Sequence, residues 1–493
     1  MLNRLCPVLI AAFAFLASAC TSTESDTHYI RLSDSSLSFN GAGNAPRTIT
    51  IASNPSAWQA ESSASWIKIT GTEANTLTIT VDDNDVATER KGIVHVDAGK
   101  AQVEIVVSQL PEDSEFARYR AMFKYENGIV MSPSGKYAGG FYATLADDGS
   151  LLYHADIVEV ETDRVTELGP YPMSLMAFGS PSAITDQGQF FLKLEAGSTY
   201  MFDLDGTYSE IATPAGMNSD PDVSCVSADG SKWVGYSMKN MGDGHGSLYW
   251  PLIWENGTAR ELEMPKSYRG EEYTSAQKLN GVMARGISAN GEIVYGTTWD
   301  NFDFGLVYWD KAGKVHYVGE DVREVKPVKM LDGNGGEYDF NLVDGIIGYA
   351  SSSYVSPNGK WIAGTYRKEE LAADRMGIDE TYRAAFFNTE TGKTYILEEY
   401  GDSSGLGVTD EGEGFVGVGS STVMNGFVVD IETGIKLGTT QEWVYETFGI
   451  HVPACRLEQC CVGKKVVTGA TPVSDAVLGM VDGYFYIAPA AGR

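Results

Sequence analysis

The sequence predicts an all-β protein: a small N-terminal β-sandwich followed by a β-propeller in which seven blades are expected. Three observations carry this. Residues 29–110 break into short stretches that alternate apolar and polar side chains, with Gly, Asn, Asp and Pro between them. From residue 130 onward one turn phrase recurs at steps of 42 to 68 residues, the spacing of a propeller or a related array. The composition, with 55 glycines and 26 tyrosines among 493 residues, suits strands and tight turns better than helices. A chain of this length needs more than one core.

Taken in order, residues 1–19 read as a signal peptide. Arg4 gives the positive start, "CPVLIAAFAFLASA" the apolar run, and Ala17, Ser18 and Ala19 the small residues before Cys20. The run is too short to span a bilayer. The stretch "LASAC" resembles a bacterial lipobox, with Leu16 one place earlier than the usual leucine. The resemblance implies lipidation at Cys20. Residues 20–28, "TSTESDT" among them, form an acidic tether, similar to the export signal of Bacteroidota surface lipoproteins. The expected location is the outer membrane, facing the cell surface or the periplasm, with contact to the membrane through the lipid anchor only.

In residues 29–110 the strands are "RTITIAS", "WIKIT", "TLTITVD", "GIVHVDA" and "QVEIVVSQL". The succession "SASWIKIT", Asn84, "ERKGIVHV" with Arg90 and Gly92, and "VEIVVSQ" ending at Gln109 resembles a BACON domain. That resemblance implies an immunoglobulin-like sandwich and an association with carbohydrate. Trp58 and Trp66 lie among alternating strand residues, where a tryptophan belongs to the core rather than to a sugar platform. The acidic run "DDNDVATE" lacks the spacing of a calcium loop.

Residues 117–493 carry the repeat. The phrases "MSPSGKYAGGFY", "ITDQGQFFLKLE", "VSADGSKWVGYS", "ISANGEIVYGTT", "VSPNGKWIAGTY" and "VTDEGEGFVGVG" align on Gly135, Gly188, Gly230, Gly291, Gly359 and Gly412, with a worn copy at Gly463. A hydroxyl residue, then Asn or Asp, then Gly suits a turn that needs positive φ. A further glycine about five places on predicts close approach by a neighbouring sheet. A second phrase, such as "PLIWENGTARELE", adds two strands, so each pair of phrases makes one four-stranded blade. The last copy lacks a fourth strand, and residues 117–125 are expected to supply it. The paired phrases resemble HAF-type extracellular repeats, which imply architecture and not chemistry. Two insertions stand out: 367–383 is helix-prone, and "TQEWVYETFGIHVP" spaces its aromatics as a short helix would.

The formal charge of −30 disfavours nucleic acid and anionic lipid as partners. No phosphate loop occurs. Asp229 and Gly230 are adjacent, which excludes the Asp-box of sialidase propellers. Cysteine and histidine spacing does not suit zinc, so no metal and no cofactor is expected. In an exported chain Cys455 could pair with Cys460 or Cys461. The ligand-binding candidates are loop aromatics with polar neighbours: Trp299, Phe302 and Phe304 beside Asp300 and Asp303, and Tyr268, Arg269 and Tyr273. Flat rings beside hydrogen-bonding acids suit sugars. The expected role is non-catalytic capture of an extracellular glycan or glycoprotein. A polysaccharide-active hydrolase or lyase, with acids at the propeller mouth, and a structural or adhesion role are the alternatives.

Overall fold

The computed structural model describes residues 28–488 except 43, 74, 87, 111–117, 123–124, 146–150, 173–180, 195–197, 243–245, 273–280, 300–304, 349–354, 419–424 and 476–478. The proposed signal peptide, Cys20 and most of the tether lie outside that set.

The first domain is a sandwich of two four-stranded sheets. One orders Tyr29–Leu32, Arg47–Asn54, Thr76–Val81 and Ile67–Glu73; the other orders Ser36–Phe39, Ala101–Gln109, Arg90–Ala98 and Gln59–Ser62. Alternation in "RTITIAS" puts Ile49 and Ile51 inside and their neighbours outside. They meet Leu37, Phe39, Leu77, Val94, Val96, Ile105 and Val107 in one core. Trp58 and Trp66 are half-buried and pack against it.

The second region is a succession of antiparallel sheets that follow the sequence repeat. Glu126–Met131, Tyr137–Leu145, Leu151–Glu159 and Arg164–Pro172 form one sheet; Pro181–Ile184, Phe190–Leu194, Ser198–Phe202 and Tyr208–Glu210 form the next. Asp222–Val226, Lys232–Asn240, Ser247–Glu255 and Thr258–Glu261 follow, linked by the single pair Tyr249–Gly281 to Gly281–Ile287, Val294–Trp299, Leu306–Trp309 and Val315–Tyr317. Then come the five strands Glu324–Leu331, Glu337–Ile347, Trp361–Leu371, Ile378–Asn388 and Lys393–Ile396, and the four strands Ser403–Val408, Glu413–Val418, Asn425–Asp430 and Lys436–Thr439. In the last sheet, Arg456–Cys460, Val467–Asp475 and Gly479–Ala488 are completed by Arg118–Ala121 from the start of the region, as the sequence led us to expect.

The recurring phrase has a common local cause. Its hydroxyl residue is buried in six copies (Ser132, Thr185, Ser227, Ser288, Ser356 and Thr409). Each hydroxyl accepts a bond of 3.0 to 3.1 Å from a backbone N–H just beyond the turn, for instance Ile293 N to Ser288 Oγ and Trp361 N to Ser356 Oγ. The turn glycine takes positive φ, 78° at Gly359. Turns of different sheets also bond to one another. Ser134 N–H donates to Asp186, Ala228 N–H to Ala289 O, Asn290 N–H to Pro357 O and Asn358 N–H to Asp410; Val462 N–H of the last turn donates to Pro133 O of the first.

One insertion corrects the sequence reading. Residues 367–383 do not form a helix; they extend the strands Trp361–Leu371 and Ile378–Asn388 into a long hairpin. Burial there alternates, with Arg367 and Glu369 inside and Lys368 and Glu370 outside, so the buried ion pair imposes a period of two on residues with helical propensity. The other insertion is a helix, Thr440–Phe448, started by a Thr439–Glu442 capping box and anchored by buried Trp443.

Candidate functional site

The first strand of several sheets carries a one-residue bulge at a matching level. The register skips Ser182, Ser224, Arg285, Leu406 and Glu458, each opposed by no residue on its partner strand. A bulge bends its strand and re-aims the extra side chain. Four of these five, all but Leu406, line one cavity of about 410 Å³ enclosed by the first strands of different sheets, with Asp222, Tyr236, Tyr295, Val355, Gln459, Thr468 and Tyr484 also on its wall.

The periodic glycine belongs to this bulge. Gly235, Gly296 and Gly469 each pair with the residue just before it. A Cβ at Gly235 would lie 1.8 Å from Asp222 O, at Gly296 2.4 Å from Met283 O, and at Gly469 2.3 Å from Arg456 O. The expectation that these glycines make room for a neighbouring sheet is therefore corrected: they make room for the kinked first strand of their own sheet. The neighbouring-sheet role falls to Gly139 and Gly414, where a Cβ would strike the rings of Phe190 and Phe386.

Charges in the cavity are unevenly matched. Asp222 accepts both contacts of the Lys193 ammonium, at 2.7 and 2.9 Å. Glu458 accepts from Arg456 Nε at 2.9 Å. Burial, reinforced by the Asp222 charge, holds the Tyr236 phenol well above its ordinary range, so it stays a neutral donor. Arg285 is half-buried, with its guanidinium 5.2 Å from the Tyr236 ring centre and its Nε 3.4 Å from Thr297 Oγ1. No carboxylate among the described residues pairs with it.

A second, outer groove of about 560 Å³ lies between the edge strands Tyr208–Glu210 and Thr258–Glu261. Its walls are largely apolar, from Met201, Met217, Trp233 and Trp254, and its Arg260 is paired with Glu255 at 3.0 Å. The central cavity combines hydroxyls, rings and an unmatched cation, and is the better ligand site.

The residues expected from sequence fall elsewhere. Phe302, Phe304, Asp300, Asp303 and Tyr273 lie outside the described residues. Trp299 ends the strand Val294–Trp299 and pairs with Gly281, the first residue of the strand Gly281–Ile287. Tyr268 and Arg269 belong to a tight hairpin whose central residues, Arg269 and Gly270, both have positive φ. Arg269 is turned inward: its side chain is 12% exposed, bonds Glu369 at 2.6 and 3.2 Å, and donates to Asn341 O.

The expected disulfide does not form: Cys455, Cys460 and Cys461 are free thiols, as is Cys225. Cys455 and Cys460 stand at opposite ends of the strand Arg456–Cys460, where a rise of about 3.3 Å per residue separates them by roughly 15 Å, far beyond disulfide reach. The thiol of Cys461, next along the chain, contacts Ser132 O instead. Burial pushes the Cys455 and Cys460 thiols up to about 12. We therefore expect no alkylation of these thiols by iodoacetamide in the native protein and complete alkylation in denaturant without prior reduction. A requirement for reductant would contradict the free-thiol assignment.

In the sandwich, the residues of the BACON-like pattern are structural. Asn84 is buried and donates to Thr88 O and Leu110 O. Arg90 bonds Gln109 Oε1 at 2.7 and 2.9 Å, and Gln109 Nε2 donates to Asn40 O and Gly41 O. A Cβ on Gly92 would press into Ile67, Ala64 and Trp66. Asn84→Ala should cost the sandwich about 1–3 kcal/mol by leaving two carbonyls unmet, read as an earlier first transition in urea.

The cavity residues escaped the sequence reading although a signal existed. Ser182, Ser224, Arg285 and Leu406 each stand six places before a turn glycine, and Glu458 five. Those positions vary in chemistry while the phrase around them repeats.

Residues 56–110 match the BACON family, described as "Putative binding domain, N-terminal". No curated protein matches the chain. Among solved structures, it is similar to the β-propeller domain of the Trilobed protease from Pyrococcus furiosus, at 10% identity over 76% of this chain and 94% of that one, TM-score 0.39. It is also similar to an oligogalacturonate lyase from Vibrio parahaemolyticus, at 11% identity over 75% and 91%, TM-score 0.38. A Bacteroides ovatus GH5 xyloglucanase in complex with a XXXG heptasaccharide matches at 23% identity over 25% of this chain, TM-score 0.16; the match spans 29% of that chain.

Proposed function

We propose that this chain is a lipid-anchored envelope protein with a binding role and no catalysis, whose BACON-like sandwich carries a seven-bladed propeller that captures an extracellular glycan or glycoprotein. The observation that carries the reading is the bulge-lined cavity. Side chains from separate sheets converge there, and hydroxyls, one amide and tyrosine rings stand among aliphatic neighbours such as Ile129, Val223 and Ile287. Ser182, Ser224, Gln459 and Thr468 supply donors and acceptors of the kind that sugar hydroxyls use, and Tyr236 and Tyr484 supply flat apolar faces.

The geometry favours binding over hydrolysis. Glycoside hydrolysis needs one carboxyl kept protonated as the acid. The two carboxylates on the described cavity wall, Asp222 and Glu458, are each engaged by a basic side chain, Lys193 and Arg456, so neither stands as an unpaired acid. Screening the full chain against a glycan array and polysaccharide affinity gels tests the role. Retention without turnover is the expected result. Reducing-end release from any retained polysaccharide would instead establish the enzyme reading, and no retention by any glycan would remove the glycan-binding role.

A further inference from the structure

We infer that the cavity selects a sugar bearing a carboxylate, with Arg285 as its anion anchor. The inference rests on the binding role proposed above and goes beyond it by naming the ligand chemistry. The argument starts in the register. Arg285 is the bulged residue of the strand Gly281–Ile287: Ala284 pairs with Gly296 and Gly286 with Tyr295, which leaves Arg285 unopposed. The kink that turns it inward is kept by Gly296, where a side chain would collide with Met283 O. At this level the other cavity-lining bulge residues are Ser182, Ser224 and Glu458, so the wall offers one cation.

Among the described residues the cation has no carboxylate partner. Lys193 neutralises Asp222 and Arg456 neutralises Glu458, both through contacts under 3 Å. Among the described residues Arg285 meets Thr297 Oγ1, the Met283 sulfur and the face of Tyr236. A guanidinium has five donors in a planar fork. Neither a hydroxyl nor a thioether satisfies that fork, whereas a carboxylate meets it with two parallel bonds. The matched pairs cancel, so the described wall carries one uncompensated positive charge inside a strongly acidic protein. Repulsion from the remaining surface is screened beyond about 8 Å at physiological salt, so the short-range fork decides.

Around that fork the site is built for a pyranose. Tyr484 adds an aromatic ring to the wall, and Ser182, Ser224, Gln459 and Thr468 offer hydroxyl and amide partners. The volume of about 410 Å³ lies at the small end of ligand cavities. That size suits a chain end better than a long internal stretch of polymer. A terminal uronate of a polysaccharide and a terminal sialate of a glycoprotein share this chemistry.

The test is calorimetric titration of the full chain with digalacturonate, 3′-sialyllactose and neutral lactose. At least one acidic probe should bind about 10-fold or more tighter than lactose, the difference expected of a hydrogen-bonded charged group. Which acidic probe binds decides between the two sources. Arg285→Ala should abolish that preference, and Arg285→Lys, which keeps the charge without the fork, should restore only part of it. Thermal melts report whether each variant is folded; if Arg285→Ala is not, the Arg285→Lys titration alone decides. Equal binding of lactose and the acidic probes, or a preference that survives both variants, overturns the carboxylate inference and leaves the glycan-binding role standing. Absence of binding by all three probes also overturns it, and the array result then decides the fate of the broader role separately.

Discussion

Replacing Glu369 with alanine is expected to lower stability by about 3–5 kcal/mol, the usual cost of breaking a buried ion cluster from one side. Glu369 is 1% exposed, and Arg367, its strand neighbour two residues away, is 3% exposed. The carboxylate binds Arg367 at 2.9 Å and Arg269 at 2.6 Å, and accepts the backbone N–H of Val343 at 2.7 Å. Asp344 completes the cluster, holding Lys326 at 2.6 Å and the N–H of Glu369 at 2.9 Å. Truncation leaves one fully buried guanidinium without its closest anion and an amide without its acceptor. It also removes one of the two ties of the Arg269 hairpin, leaving its bonds to Asn341. Guanidinium unfolding of Glu369→Ala, with Glu369→Gln as the milder variant, measures the loss. Midpoints indistinguishable from the parent protein would mean that the cluster contributes nothing net.

Gly235→Ala is expected to destabilise by about 3 kcal/mol or more, above the usual range for one added methyl. Most small-to-large changes push on a side chain that can rotate. Here the obstacle is a backbone carbonyl, Asp222 O, 1.8 Å from the new Cβ. The strand Asp222–Val226 can move only by undoing its bulge at Ser224. The change should therefore both lower the melting temperature and disturb the cavity, whose wall includes Asp222, Val223, Ser224 and Cys225. Gly333→Ala is the control, because nothing lies within 4 Å of a Cβ there. A melting temperature for Gly235→Ala equal to that of the control would show that the bulge is not fixed by this glycine.

The two predictions mark different depths of legibility. The glycine at 235 was visible in the sequence as a periodic feature, and its period was correctly tied to close approach. What it approaches was not visible, because a β-bulge is a property of two strands in register and leaves no mark on either alone. The Glu369 cluster was less legible still. "RKEELAADR" reads as helix by propensity, and only pairing with the strand Ile378–Asn388 and the ion pair to distant Arg269 make it a hairpin. The site followed the same pattern. Loop aromatics announce themselves by composition, whereas Arg285 is one basic residue among 36 until the register aims it inward.

Alternation, turn chemistry and repeat spacing by themselves determined that this chain is all-β, that a sandwich precedes a propeller-like array, and that a strand near residue 120 completes the final sheet. Those features depend on neighbours a few residues apart, or on a missing strand that simple counting exposes. Only the tertiary structure decided which charges are matched, that Cys455 and Cys460 are held apart by a strand, and which side chains the bulges turn into the cavity. Each of these depends on residues tens to hundreds of positions apart, brought within a few ångströms by pairing that the local sequence does not encode.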